Sequence, residues 1–519
     1  MTDVGTSLSS LVRAAARARP GAPAVVAGEE RLTWGELDAE VDRAAAGYAA
    51  RGLAAGERVA VQLPNGVDWL RAALGALRAG LVVVPVNTAY TDAELEYVLT
   101  DSAAALLVAT AGRTPLAGVP VVAGPPAGDG PGPAGAEGDG RDPDTAPAFL
   151  AYTSGTTGRP RGAMLSAAAL RANQEQCLAM QPTPVRPDDR VLLVLPLFHV
   201  YGLNAGFGLV AATGACAVLM EAFDPVGALA LMAREQVTAV PGAPPMYQAW
   251  LAAADSAGSD ADLRRAFAAV RMASCGAAPL PAGVWTAMRE RAAVTVWEGY
   301  GLTEACPVVA STLATGRAKP ACIGGPIPGV ELQLRDTALH EPDADGPGRG
   351  DLTEDGPGEI WVRGPNLFSG YWPDGADGPD ADGWLATGDL AYADEDGDLH
   401  LVDRRSDLIL VSGFNVYPAE VERVLDAHPA VAESAVIGVP DPRTGAAVRA
   451  VVALRPGQRL TFEELRDHAA ASLARYKVPT SVQVLATLPH SLTGKVSRAR
   501  LRELGLTEPR PAGTEAGDE

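Results

Sequence analysis

Apolar residues along this chain alternate between two spacings. Arg58–Leu63, Leu81–Pro85 and Ala103–Val108 are short runs rich in β-branched residues, which read as strands buried on both faces. Between them, Trp69–Ala79 and Asp92–Asp101 repeat apolar residues at the spacing of a helix that covers a sheet. Strand and helix keep alternating to about residue 400, which predicts an α/β architecture. Ser7–Arg19 reads as a short surface helix rich in Ala and Arg. Leu209–Met220 is broken by Thr213 and Gly214, so it is too short and too interrupted to span a bilayer.

Two stretches interrupt this rhythm. Gly124–Pro147 is crowded with Gly, Pro and Asp, cannot build a core, and reads as a disordered or variable surface loop. Asp336–Gly358 is acidic, rich in Pro and Gly, and reads as a long hairpin connection. A boundary is expected within Leu399–Gly413, where a strand stops at the charged cluster Asp403–Asp407 and a new apolar strand begins. Beyond it come a helix (Pro418–Leu425), two strands (Ala430–Val439, Ala446–Leu454), a helix (Phe462–Leu473) and a strand (Val482–Val484). That set makes a separate α+β unit. The expected division is a large α/β domain of packed sheets and helices over 1–403, a hinge at 404–407, a small α+β domain over 408–508, and a disordered acidic tail from 509.

Composition narrows the function. A chain of 519 residues corresponds to about three domain-sized units. The net charge of −21 repels phosphate backbones and anionic lipid, which argues against nucleic-acid or membrane-surface partners. Cys177, Cys216, Cys275, Cys306 and Cys322 have no paired spacing and no histidine cluster, so they read as buried fillers in a reducing compartment. The N-terminus lacks the apolar core of a signal peptide, and a cytoplasmic location is expected.

Five polar clusters carry candidate chemistry. The first is Tyr152-Thr-Ser-Gly-Thr-Thr-Gly-Arg-Pro-Arg-Gly162, after the apolar Ala148–Ala151. Its glycines let the backbone approach a polyphosphate closely, and its hydroxyls and amides can point at phosphate oxygens. Arg159 and Arg161 add positive charge, and no Gly-Lys-Ser/Thr follows as a Walker loop would require. The others are Gly299-Tyr-Gly-Leu-Thr-Glu304 after the strand Val294–Trp297, Thr387-Gly-Asp389 after Trp384-Leu, Asp403-Arg404, and Ser491-Leu-Thr-Gly-Lys495. Each alone also reads as an ordinary turn or exposed loop tip.

Together and in this order they resemble the adenylate-forming superfamily, which holds acyl-CoA synthetases, luciferase-type enzymes and peptide-synthetase adenylation domains. The resemblance runs from Leu32-Thr-Trp-Gly-Glu-Leu to Lys495-Val-Ser-Arg498. It includes Leu195-Pro-Leu-Phe-His-Val-Tyr-Gly202, Pro241–Tyr247, Gly276-Ala-Ala-Pro279 and Gly358–Gly364. Val411-Ser-Gly-Phe-Asn-Val-Tyr-Pro-Ala-Glu-Val-Glu422 is especially close to fatty acyl-CoA ligases.

The resemblance implies ATP-dependent joining of a carboxylate to AMP, release of pyrophosphate, and transfer of the acyl group to a thiol. A carboxylate and an α-phosphate repel each other, so the protein must neutralise both and align them. The loop Thr153, Ser154, Gly155, Thr156, Thr157, Gly158 would hold the β- and γ-phosphates, with Arg161 beside it. Glu304 would hold Mg²⁺ with the Thr153 hydroxyl as a second hard oxygen donor. Tyr300 would stack on adenine against Gly276, Ala277 and Ala278, while Glu298, Gly299, Gly301 and Thr303 line the same nucleotide site. Asp389 would accept both ribose hydroxyls and Arg404 would support the ribose and phosphate. Lys495 would bridge the attacking carboxylate and the α-phosphate. Gly413 would let the pantetheine arm of coenzyme A approach, and the small domain would be mobile, rotating about the hinge between half-reactions. The sequence departs from the family at Arg161, where lysine is usual, and at Ser406 in the hinge.

Peptide-synthetase domains place an aspartate near the position of Phe198-His199, but this chain has His199 and Val200 there, so no buried anion awaits an amino group. Leu203–Leu209 offers small and apolar residues, as an acyl tunnel or a packed helix would need, and His199 reads as lining the carboxylate end. A fatty or other hydrophobic monocarboxylic acid is the expected substrate and coenzyme A the expected acceptor. The alternatives are an acyl-AMP ligase that loads a carrier protein, a luciferase-type oxygenase, and a catalytically dead acyl- or nucleotide-binding relative. A homodimer stays open.

Overall fold

Strands that alternate with helices, as the apolar rhythm predicts, make up two large, mostly parallel sheets of the computed structural model, which describes residues 7–128, 145–153, 160–335, 357–404, 407–411, 414–441, 443–490, 496–501 and 504. The chain divides into two units. One comprises Met1–Leu332, Trp361–Ala386 and Glu395–Leu399; the other comprises Gln333–Ile360, Thr387–Asp394 and His400–Glu519.

The first unit holds both large sheets. The nine-stranded sheet runs Gly325–Pro326, Val308–Ser311, Val296–Gly301, Met272–Cys275, Ala239–Gly242, Arg190–Leu193, Cys216–Leu219, Pro23–Ala27, Glu30–Thr33. The six-stranded sheet runs Val121–Ala123, Ala104–Ala109, Arg58–Gln62, Val82–Pro85, Pro147–Thr153, Arg161–Ser166. Central strands such as Val82–Pro85 and Ala239–Gly242 are buried at every position, as parallel strands covered on both faces must be. Trp250 anchors one core through edge-on contacts with Phe223, Tyr247 and Phe267.

Helix Asp92–Asp101 has its expected limits because Thr91 and Glu94 form a reciprocal cap that fixes its start. Helix Val67–Arg78 starts two residues before the expected Trp69. The expected strand Val294–Trp297 runs instead from Val296 to Gly301, so the Gly-Tyr-Gly triplet is strand rather than turn, held by antiparallel pairing to Val308–Ser311. Thr387-Gly-Asp389 likewise lies inside the strand Leu385–Ala393. The segment from Gly124 departs from its expected character at its start. Pro126 and Ala127 lie against Gly47, where a Cβ would meet them at 2.7 Å, and Gly128 donates to the Arg43 carbonyl at 3.0 Å. Residues 129–144, 336–356 and 505–519, with the expected hinge residue Ser406, lie outside the described residues.

The second unit contains a piece of a four-stranded sheet, ordered Glu331–Arg335, Gly358–Arg363, Leu385–Ala393, Leu399–Arg404, to which its residues of those strands contribute. Its other sheet centres on Gly445–Leu454, antiparallel to Val431–Asp441 and parallel to Ser481–Leu485, with Ile409–Val411 meeting it at Gly445. Helices Pro418–Asp426 and Phe462–Ala470 bury Val421, Leu425 and Leu465 against Val436, Val448 and Val452. This is the expected α+β set, with the second helix ending at Ala470 rather than Leu473. All five cysteines are buried and free. Among the described residues no helix is long and apolar enough to cross a membrane.

Candidate active site

The Thr/Gly-rich cluster joins two strands as a hairpin: Pro147–Thr153 pairs antiparallel with Arg161–Ser166, and Thr153 faces Arg161 in register. Ser154, Gly155, Thr156, Thr157, Gly158 and Arg159 lie outside the described residues. The segment 368–372 runs along the far side of the second strand. Ser369 N–H donates to the Met164 carbonyl at 3.0 Å, Met164 N–H to Gly370 at 3.0 Å, and Trp372 N–H to Gly162 at 2.8 Å.

This pairing brings Tyr371 beside the hairpin. Its hydroxyl donates to Glu304 Oε1 at 2.5 Å, and the Thr153 hydroxyl is hydrogen-bonded to the same phenol oxygen. Burial, and next the Glu304 charge, push the phenol well above its usual range, so it remains a donor. The Arg161 guanidinium lies over the Tyr371 ring at 3.9 Å and pairs with Asp377 Oδ2 at 2.7 Å. Three expected site residues, Thr153, Glu304 and Arg161, thus meet around one tyrosine that sequence reasoning did not identify. Tyr371 stands 67 residues from Glu304 with only a neighbouring Gly-Tyr-Trp to mark it.

Glu304 sits in a short 3₁₀ turn, Thr303–Ala305, which follows strand Val296–Gly301. Buried amides from distant elements hold this turn and the residues after it. Asn366 Nδ2 donates to the Ala305 carbonyl at 2.9 Å, and Asn204 Nδ2 donates to Cys306 at 2.6 Å. Asn173 forms a two-point bond to Val308, donating at 2.8 Å and accepting at 3.1 Å. Each amide is almost completely buried, so removing one would strand a backbone group at a cost of about 1–3 kcal/mol. Asn204 lies in the apolar Leu203–Leu209 stretch, which runs from a π-helical segment, Tyr201–Gly208, into the first residue of the helix Leu209–Thr213. There Phe207 is fully buried and Gly208 lies against the Asn204 and Gln174 amides, so this stretch packs and braces. A buried asparagine amid apolar helical residues was the available sequence signal.

Gly301 is fixed by close approach. The pairing with Val308–Ser311 shifts register between Tyr300 and Gly301, and a Cβ there would stand 2.1 Å from the Pro307 carbonyl oxygen. Gly301→Ala is therefore expected to destabilise the protein by about 1–3 kcal/mol and displace the Glu304 turn. Thermal unfolding would check the first effect and nucleotide binding the second; an unchanged melting temperature refutes the steric argument.

Gly276, Ala277 and Ala278 follow the strand Met272–Cys275. Ala277 adopts φ 72°, which strains a residue bearing a Cβ. Gly276 lies against the ring of Tyr201, whose hydroxyl donates to the Gly242 carbonyl at 3.2 Å. His199 Nδ1 accepts the Tyr201 N–H at 3.2 Å, which places the ring proton of a neutral imidazole on Nε2. Tyr300 is buried on the neighbouring strand, and Gly299 lies 3.4 Å, measured from a built Cβ, from the Ala310 carbonyl.

Glu298 is committed to structure. Its carboxylate accepts backbone N–H groups from Leu280 at 3.2 Å and Ala321 at 3.0 Å, so it ties together the loops flanking this strand. Burial nevertheless raises its carboxyl to about 7.

Asp389 and Arg404 belong to the second unit. Asp389 is buried, its N–H donates to the Thr387 hydroxyl at 3.2 Å, and Thr387 donates in turn to the Ile360 carbonyl at 2.9 Å. Gly388 between them has φ 75°, a turn of the backbone that favours glycine. Arg404 ends the strand Leu399–Arg404. Gly413 and Lys495 lie outside the described residues.

Comparison with known proteins covers nearly the whole chain. The family described as AMP-binding enzyme matches residues 12–372, and the AMP-binding enzyme C-terminal domain matches residues 420–495. A feruloyl-CoA synthase of Amycolatopsis sp is 38% identical over 502 residues, spanning 94% of this chain and 96% of that protein. A long-chain-fatty-acid–CoA ligase of Yersinia pestis is 35% identical, spanning 96% and 94%. The crystal structure of ATP-bound MatB from Rhodopseudomonas palustris superposes with a TM-score of 0.83 at 31% identity, covering 96% of this chain and 99% of that one.

Proposed function

The chain belongs to the AMP-binding enzyme family of adenylate-forming acyl-CoA ligases, and from that membership we propose that it converts a fatty acid to its acyl-CoA by way of acyl-AMP. The observation that carries the reading is the convergence of Thr153 and Glu304 on one phenol oxygen beside the Thr/Gly-rich hairpin. Two hard oxygen donors this close together suit a small divalent cation, so the residues fit magnesium. When bound there, magnesium would supply charge neutralisation at the phosphate oxygens of ATP.

A carboxylate oxygen attacks the α-phosphorus of ATP, the bond to the bridging oxygen breaks, and pyrophosphate leaves. Lys495 neutralises the charge that grows between the two anions. The thiol of coenzyme A then loses its proton, its sulfur attacks the acyl carbon, and AMP leaves. Tyr300 and Gly276–Ala278 hold adenine, Asp389 takes the ribose hydroxyls, Arg404 supports the phosphate side, and Gly413 lines the path of the thiol arm. The hinge at 404–407 lets the 408–508 domain exchange Lys495 for the thiol channel between steps.

The feruloyl class of acid is a second reading, favoured by the 38% identical relative and by the Tyr201 phenol seated against Gly276. Pyrophosphate release over straight-chain acids from short to long, and over ferulate, with and without coenzyme A, separates the readings. Turnover of fatty acids that requires coenzyme A supports the proposal, and turnover confined to ferulate replaces it. Adenylate that coenzyme A cannot discharge points to a carrier protein, and no release with any acid leaves a dead site.

A further inference from the structure

We propose that Tyr371 is a positioning residue for the magnesium and phosphate end of the site, holding Glu304 and Thr153 with its hydroxyl and seating Arg161 with its ring. The inference rests on the assignment of Glu304 and Thr153 given above and adds a residue to it.

The support is built from both sides of Glu304. Tyr371 Oη holds the carboxylate at 2.5 Å, while Phe368 N–H holds the Glu304 backbone carbonyl at 2.8 Å. Phe368 and Tyr371 pack edge to face at 5.0 Å, so the two contacts belong to one small rigid unit. The backbone of that unit is fixed in turn: Tyr371 bridges to Ala163, and its N–H donates to Ala376 at 3.0 Å. A carboxylate offers about four lone-pair positions, so the phenol can fix its rotamer and leave others to meet a cation. Thr153, bonded to the same phenol oxygen, is brought to the same place. A cation arriving here finds both donors already oriented, which is the advantage of preorganised ligands.

The ring accounts for the arginine at 161. A planar guanidinium can stack on an aromatic face while its edge pairs with a carboxylate, and Arg161 does both, over Tyr371 at 3.9 Å and with Asp377 at 2.7 Å. A lysine ammonium has no planar face to offer. Arginine here is thus matched to its own tyrosine.

Equilibrium dialysis of radiolabelled ATP, with magnesium and with EDTA, tests this on the full chain without turnover. For Tyr371→Phe, which keeps the ring and removes only the oxygen, the gain in ATP affinity on adding magnesium should shrink about tenfold. Binding in EDTA and the melting temperature should stay at parent values, because the ring still seats Arg161. In a Glu304→Gln background the same substitution should cost clearly less than in the parent, since most of the tyrosine's action runs through that carboxylate and only the Thr153 contact is left to lose. A parent-like magnesium gain in Tyr371→Phe overturns the inference and leaves the proposed function standing. So does an equal further loss in the Glu304→Gln background. Loss of cooperative unfolding in Tyr371→Phe also overturns it, because the phenol would then be a fold determinant. A parent protein that binds no ATP under either condition rejects the proposed function and this inference together.

Discussion

Lys495→Ala is expected to slow acyl-adenylate formation by on the order of 10²–10³ while leaving transfer from supplied acyl-adenylate to coenzyme A near the parent rate. The first step brings a carboxylate against a triphosphate, and charge on the pentacoordinate phosphorus grows as the bond forms. A cation held at that point lowers the barrier and does little for the ground state, so its loss falls on the rate rather than on substrate binding. The second step begins from a neutral acyl carbon and has no such need. Pyrophosphate exchange measures the first half-reaction, and acyl-CoA formation from synthetic adenylate measures the second. Equal loss in both would refute the proposed restriction of Lys495 to the first half-reaction.

The described chain just beyond Lys495 is held by charged groups. Arg498, three residues on, makes a two-point pair with Glu422 at 2.7 and 2.8 Å and reaches Asp407, the last residue of the expected hinge, at 3.3 Å. Its guanidinium is largely enclosed, so these charge-assisted bonds are worth more than surface pairs. The segment after Lys495 is thereby tied to the residues around which rotation is proposed.

Local rules made part of this molecule readable. The Thr91/Glu94 cap set a helix start to the residue, and strands buried on both faces announced themselves as unbroken apolar runs. Glycines misled where they serve close approach rather than turning: Gly299 and Gly301 were expected after a strand and lie within one. What supports the site was harder to see. Asn173, Asn204, Asn366 and Tyr371 act across separations of 61 to 135 residues, and no local pattern encodes a partner that far along the chain. The candidate site residues were legible because each sits in a short run of unusual polar residues. Their supports depend on which elements the fold brings together.

Glu298 shows such a support with a measurable consequence, since stability should fall as pH rises from about 4.5 to 7. Two effects oppose each other at its carboxyl. Backbone N–H groups of Leu280, Ala321 and Cys322 favour the charged form, while burial disfavours it, and burial prevails, leaving the group near 7 against an ordinary 4.5. Between those values the folded chain keeps a proton that the unfolded chain has released. The unfolding free energy therefore declines with pH, its contribution complete below 4.5 and lost as pH passes through about 7. The full change is roughly 3 kcal/mol for the group, at 1.36 kcal/mol per pH unit. Glu298→Gln cannot ionise, so the difference in stability between parent and variant should shift toward the variant by that amount across the window. Urea unfolding at intervals from pH 4.5 to 7.5 reads it directly. A difference that stays flat means the amides and burial balance, and one that shifts toward the parent means the amides win. Because Leu280 closes the loop carrying Gly276–Ala278, the same protonation would loosen or tighten one wall of the proposed adenine slot, so nucleotide affinity should bend at the same pH as stability.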